Sequence, residues 1–140
     1  MSKKILILSA SLRAGSNSET LANAFADGAR AAGHTVEVVS LRGKSIAFCR
    51  GRLACQTLGR CVIDDDAVAI TEKMQHADVI VFEDEPDTDE RAIHGLEGWI
   101  ACYEKCRLAG TVFAGGVTEP GAVAGHPALE TARAMGAAIA

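Results

Sequence analysis

Small polar residues cluster between positions 9 and 18, in a spacing suited to hold an anion. The segment reads Ser-Ala-Ser-Leu-Arg-Ala-Gly-Ser-Asn-Ser. Serine hydroxyls and an asparagine amide can donate hydrogen bonds, and an arginine guanidinium forms a fork that matches phosphate oxygens. The sequence therefore indicates a phosphate-binding turn, and the competing interpretation is an ordinary polar loop with a good helix cap. The donors are Ser9, Ser11, Arg13, Ser16, Asn17 and Ser18.

This segment joins a predicted strand to a predicted helix. Lys4–Ser9 is almost entirely apolar, which is typical of a parallel strand covered on both faces. A helix is predicted over Asn17–Ala32, because Ser16 and Glu19 have the spacing of a capping box and Gly33 suits a C-terminal stop. A helix N-terminus offers backbone N–H groups and the positive end of the helix dipole to an anion. The donors are thus predicted to lie where a phosphate is best stabilised.

The rest of the chain continues the alternation of strand and helix. Such a pattern predicts a parallel sheet with helices on both faces, in which ligands bind at the carboxyl ends of the strands. We expect a three-layer α/β fold with four strands in the order 2-1-3-4. The further predicted elements are strands Thr35–Leu41, Asp78–Phe82 and Thr111–Ala114, a helix opened by Asp64, Asp65 and Asp66, a helix over Asp89–Leu108, and a last helix from Pro127.

Length and charge restrict the classes of function. With 140 residues, the chain is predicted to be one domain over 1–140, with an irregular cysteine-containing excursion at 42–62. The net charge is −4 and no basic cluster alternates with aromatic residues, which argues against nucleic-acid binding. The apolar runs are too short for a membrane span, and no export signal is evident. We therefore expect a cytoplasmic protein.

Five cysteines are present, and without an export signal a disulfide framework is a poor interpretation. Cys49, Cys55 and Cys61 lie in the excursion, and an ordinary iron–sulfur cluster needs four thiolates. Ordinary thiols are the preferred interpretation, so no metal site is predicted, and a thiol-dependent metal or redox sensor is kept as an alternative. Cys102 and Cys106 are predicted to share one face of a helix and to pack.

The motif Ser9-x-Ser11-x-Arg13-x-x-Ser16-Asn17-Ser18 resembles the flavin phosphate loop of the NADPH-dependent FMN reductase family. Residues 49–66 resemble the cysteine-rich insert of its iron–sulfur flavoprotein branch, and the likeness resumes at Glu83 and runs through Gly116 to the C-terminus. The resemblance implies a flavodoxin-like fold, FMN phosphate held by the six donors, and Gly116 near the cofactor. It also implies NAD(P)H as reductant and a small molecule or a protein as electron acceptor. No acid or base side chain is implied, so no catalytic residue is named.

The sequence departs from that family at two places. Phe82 runs directly into the acidic segment Glu83–Glu90, interpreted as a solvated loop, so the loop that cradles the flavin ring and one helix–strand unit are missing. Arg52 stands where the iron–sulfur branch has a cluster ligand. Two hypotheses follow. The first is an FMN-binding, NAD(P)H-dependent oxidoreductase whose pocket is completed in a homo-oligomer. The second is a non-catalytic flavodoxin-like binding or regulatory protein that has lost the flavin-ring pocket.

Overall fold

The computed structural model describes residues 1–83 and 89–140, with side chains described for residues 1–83 and 93–140. The first helix begins and ends within one residue of its predicted bounds. The predicted irregular excursion at 42–62 contains one short helix. The elements are β1 Lys4–Ser9, α1 Asn17–Ala31, β2 Thr35–Ser40, α2 Ala54–Leu58, α3 Asp66–Gln75, β3 Val79–Glu83, α4 Asp89–Ile100 and α5 Ala128–Ala137.

The sheet has β1 at its centre. Its order is β2-β1-β3 and both pairings are parallel. Five of the six residues of β1 are buried, which explains why this strand carries the most continuous apolar run of the sequence. The order of the first three strands and their parallel direction are confirmed.

The predicted fourth strand does not form. Residues 111–114 have no strand conformation, and the sheet has three strands among the described residues. The helix predicted to lead into that strand stops at Ile100, where the chain turns and Tyr103 N donates to Ile100 O at 2.9 Å. The chain then passes close to α5, since a Cβ at Gly110 would lie 3.0 Å from Met135 Cε. The segment is therefore held by packing against a helix and not by a strand ladder.

The two faces of the sheet carry different helices. Ile5 and Ile7 pack with residues of α1 and α5, whereas Leu6 and Leu8 pack with Ile70 of α3. Successive side chains of a strand point to opposite faces, so the uninterrupted run of β1 fills both cores. Helices on both faces of a parallel sheet confirm the predicted three-layer, flavodoxin-like fold.

Two glycines allow α1 and α5 to approach very closely. A Cβ built on Gly28 would lie 2.0 Å from Arg133 O, and one built on Gly136 would lie 2.1 Å from Phe25 O. Both distances are far below van der Waals contact. Glycine is therefore required at both positions by space, and alanines fill the rest of this contact, with Ala29 fully buried.

The excursion is tied to the start of α3. Asp65 caps that helix by accepting from Ala67 N at 2.9 Å, and it also accepts from Ala47 N at 2.8 Å. Asp66 accepts from Ser45 N at 2.8 Å, and this hydrogen bond is the main reason that the pKa of Asp66 is lowered from 3.8. The aspartates predicted to cap the helix thus also anchor the preceding loop.

All five cysteines are free thiols at exposed positions. Cys102 and Cys106 lie beyond the end of α4, so the prediction that they pack on one helical face is wrong. Among the described residues, no three His, Cys, Asp or Glu side chains are grouped closely enough to hold a metal ion. No helix in the same part of the chain is long and apolar enough to cross a membrane.

Candidate functional site

The turn between β1 and α1 lies at the carboxyl end of the central strand. Its exposed tip comprises residues 12–15, and the polar residues on either side of that tip are buried. The turn therefore combines an exposed tip with buried serine and asparagine residues on either side of it. The buried residues are Ser9, Ser11, Ser16, Asn17 and Ser18.

Ser16 organises the N-terminus of α1. Its Oγ accepts from Glu19 N at 3.0 Å and lies 3.1 Å from Ser18 Oγ. The carboxylate of Glu19 accepts from Gly15 N at 2.7 Å, whereas the usual capping box would direct it to the backbone N–H of the cap residue itself. This small shift follows from the backbone of Gly15, which has a φ of 67° that favours glycine.

Ser11 and Arg13 shape the exposed tip. Ser11 Oγ lies 3.3 Å from both Arg13 N and Arg13 O, so one hydroxyl accepts from the backbone and donates to it. These two hydrogen bonds hold the backbone of Arg13 in place. Arg13 itself is exposed. Arg13 therefore lies at the exposed tip of the turn.

Asn17 connects the turn to a second loop. Its Nδ2 donates to Glu119 O at 2.9 Å, and its Oδ1 accepts from Val123 N at 3.2 Å. The amide predicted to contact phosphate is thus already bound to the loop that precedes α5. Gly116 lies in the same loop, exposed and with a φ of 76°.

Glu83 is a site residue that the sequence interpretation missed. It is the last residue of β3, pairs with Ser9 across the ladder and is only 6% exposed. Its backbone carbonyl accepts from Ala10 N at 3.2 Å, and its Oε2 accepts from Ser11 N at 3.4 Å. The interpretation of this residue as part of a solvated loop is wrong. Val79, Val81 and Glu83 occupy alternate positions along the strand, and this alternation could have predicted that Glu83 shares the face of the two valines.

Two buried polar atoms in this region have no hydrogen-bond partner among the described residues. They are Ser9 Oγ and Glu83 Oε1. Buried polar atoms are almost always satisfied, so each unsatisfied one indicates a ligand, water or ion that belongs there. Because Ser9 and Glu83 are ladder partners, their side chains project from the same face of the sheet.

Three aromatic rings lie beside the same end of β3. Phe82 and Trp99 meet edge to face with centroids 5.6 Å apart, and Trp99 meets Tyr103 in the same way at 5.5 Å. All three rings are exposed, with Phe82 at 44%. Tyr103 lies three residues beyond the end of α4. The result is an exposed aromatic surface at the carboxyl end of β3.

Two known proteins are similar to this chain. The chain is 37% identical over 78 residues to an iron-sulfur flavoprotein from Methanosarcina thermophila, an alignment that spans 56% of this chain and 41% of that protein. Its structure is similar to that of an NAD(P)H:quinone oxidoreductase from Methanothermobacter marburgensis, with a TM-score of 0.49 and 26% identity. That superposition covers 72% of this chain and 52% of the other. The chain therefore spans about half the length of each relative.

The family model for NADPH-dependent FMN reductase matches residues 3–83. That range begins just before β1 and ends at the last residue of β3, so it contains the whole three-stranded sheet and the β1–α1 turn. On a match that covers more than half of its length, the chain belongs to the NADPH-dependent FMN reductase family.

Proposed function

We propose that this chain binds FMN through its phosphate at the β1–α1 turn and takes part in NAD(P)H-dependent electron transfer. The observation that carries the proposal is the group of serines that are buried directly after the central strand and at the N-terminus of α1. A phosphate there would be stabilised by backbone N–H groups, by hydroxyl donors and by the helix dipole.

The residues present fit a phosphate group. Ser9 Oγ is a buried hydroxyl with no partner among the described residues, so it can donate to a ligand oxygen. Ser16 and Ser18 line the helix end, and Arg13 carries a cation at the exposed tip of the turn. Asn17 contributes by holding the neighbouring loop against the helix.

The exposed aromatic surface of Phe82, Trp99 and Tyr103 is the feature best suited to a planar ring, since aromatic groups stabilise one another by stacked and edge-to-face contacts. It lies on the strand end next to the turn, because Phe82 pairs with Leu8 in the ladder. In this proposal the surface takes the role of the ring-cradling loop that the sequence lacks.

When bound, the flavin would supply hydride and electron chemistry, and the protein would bind and orient it. We propose NAD(P)H as the reductant and a small molecule or a protein as the acceptor. A second copy of the chain is proposed to complete the ring side of the pocket. An unprotected strand edge favours such pairing, and β3 forms one edge of the described sheet.

The test is a titration of the purified chain with FMN, followed by flavin fluorescence and the visible spectrum. Arg13→Ala should weaken FMN binding by about 5- to 150-fold, which corresponds to the loss of a charge-assisted hydrogen bond of roughly 1–3 kcal/mol. The matched control is Arg60→Ala, which removes the same charge from an exposed position in the excursion. Equal FMN affinity in both variants would remove the turn from the proposal.

The alternative function is a non-catalytic binding or regulatory protein. The buried carboxylate of Glu83 beside the turn favours it, because a resident negative charge opposes a phosphate. This alternative predicts that the chain folds and stays colourless at saturating FMN. Flavin absorbance that remains with the protein through desalting would exclude it.

A further inference from the structure

Glu83 places a carboxylate inside the candidate anion site. Oε2 accepts the backbone N–H of Ser11 at a long 3.4 Å, so the carboxylate uses a donor of the turn that a phosphate would also use. Oε1 has no partner among the described residues, and neither has Ser9 Oγ on the neighbouring strand. The Glu83 carboxylate is thus fixed at the end of β3 with one long hydrogen bond on Oε2 and, among the described residues, none on Oε1.

A second anion close to this carboxylate is electrostatically unfavourable. Like charges a few ångströms apart in a poorly solvated site repel strongly, and one of them is then neutralised by a proton. A protonated Glu83 would gain an O–H donor and could bond a phosphate oxygen where the carboxylate repels it. The geometry therefore links the proton on Glu83 to the ligand in the turn.

We propose that Glu83 is a specificity-determining residue of the turn, and that binding of a phosphate monoester there requires uptake of one proton by its side chain. The inference rests on the proposed function only in taking the turn as the phosphate site. It implies that the native chain discriminates against fully ionised phosphate and accepts a phosphate ligand better as the pH falls.

The charged groups on the described segments around Glu83 do not cancel its charge. Arg13 lies at the exposed tip of the turn, and Glu19 of α1 is engaged with Gly15 N and lies 3.7 Å from Arg42. Glu119 is exposed and contributes its backbone carbonyl to Asn17. Among the described residues, no ion pair joins Glu83 to a cation.

The experiment is isothermal calorimetry of the full chain with FMN, in two buffers of different ionisation enthalpy at pH 8. The wild-type chain should take up about one more proton per FMN than Glu83→Gln does. Glu83→Gln should bind FMN on the order of tenfold to a hundredfold more tightly at pH 8, and this advantage should shrink as the pH is lowered. Affinity for riboflavin, which has no phosphate, should not improve.

The matched control is Glu72→Gln, which removes a negative charge from an exposed position of α3 and should leave FMN affinity unchanged. Tighter FMN binding by Glu83→Gln, together with the extra proton taken up by the wild-type chain, supports the inference. If Glu83→Gln binds FMN and the wild-type chain binds none at any pH, both proton uptake and the proposed function are overturned. Unchanged FMN affinity in Glu83→Gln, with a loss in Arg13→Ala, overturns the inference and leaves the proposed function standing. If neither chain binds FMN, both are overturned. Should Glu83→Gln not fold, the absence of proton uptake by the wild-type chain would still refute the inference.

Discussion

The contact between α1 and α5 leads to a sharp prediction about stability. Replacing Gly28 by alanine places a methyl group 2.0 Å from Arg133 O, 2.9 Å from Arg133 C and 3.1 Å from Arg133 Cα. These are backbone atoms in the middle of a helix, so no side chain can rotate away. The two helices must separate by roughly 1 Å or more before the methyl group fits, since carbon atoms pack at about 3.5–4.0 Å.

The expected cost follows from two opposing terms. Overpacking in a well-filled core costs about 1–3 kcal/mol, and a gap of this size also forfeits a quarter to a half of the dispersion energy of the contacts it opens. Alanine in place of glycine within a helix recovers about 1 kcal/mol. Because the close atoms are backbone, we expect the overpacking cost to lie near its upper value of about 3 kcal/mol. After the gain in helix propensity is subtracted, the free energy of unfolding should fall by about 2 kcal/mol.

The assay is urea unfolding followed by circular dichroism, with Gly95→Ala and Gly98→Ala as matched controls. These glycines lie in α4, and a Cβ built on either would have no atom within 4 Å. They should therefore raise stability by up to about 1 kcal/mol. Gly136→Ala should behave like Gly28→Ala, and the double variant should lose less than the sum because one separation of the helices accommodates both methyl groups. A Gly28→Ala chain as stable as the wild type would refute the close approach.

Three further expectations concern loops and caps. Ser16→Ala should lower the free energy of unfolding by about 1 kcal/mol through loss of the α1 cap, and Ser16→Gly by less, as urea unfolding would show. Asn17→Ala should lower the free energy of unfolding by about 1–3 kcal/mol, because the backbone N–H of Val123, which is 1% exposed, loses its acceptor. Hydrogen exchange should then rise in the loop at 119–123, and unchanged exchange there would contradict this role of Asn17. The pKa of Asp66 is lowered from 3.8 by the bond from Ser45 N, so its contribution to stability is complete above about pH 4 and is lost as the pH falls further. The stability difference between the wild type and Asp66→Asn should therefore vanish in acid, and a difference that persists at pH 2 would refute the assignment.

Features set by near neighbours in the chain were predictable. The start of α1 follows from Ser16 and Glu19, and the start of α3 from Asp65, because each cap bonds a backbone N–H two or three residues away. The parallel direction of the first three strands follows from their alternation with helices, and their order is the one that the flavodoxin-like resemblance implies. The position of the polar turn at the carboxyl end of β1 follows from the same pattern.

Features set by distant residues were not predictable. Asn17 is of a residue type that binds phosphate, but its amide forms hydrogen bonds with a loop more than 100 positions away in the sequence. Glu83 belongs by composition to an acidic loop, yet it ends a strand whose register buries it beside Ser9. Residues 111–114 have the composition of a strand but do not pair with the described sheet. The preceding helix ends at Ile100 and not at the predicted Leu108. In each case the partner, which the local sequence does not specify, decides the outcome.

The central position of β1 also determines the order in which the chain can assemble. Lys4 pairs with Thr35, a separation of 31 positions, whereas Ile5 pairs with Val79, a separation of 74. The longer loop costs about 0.8 kcal/mol more to close, so β1, α1 and β2 are expected to form first and β3 to join later. The donors of the turn would then be assembled before Glu83 reaches them. During folding the anion site would thus exist first without its resident carboxylate, and pulsed hydrogen exchange should protect β2 ahead of β3.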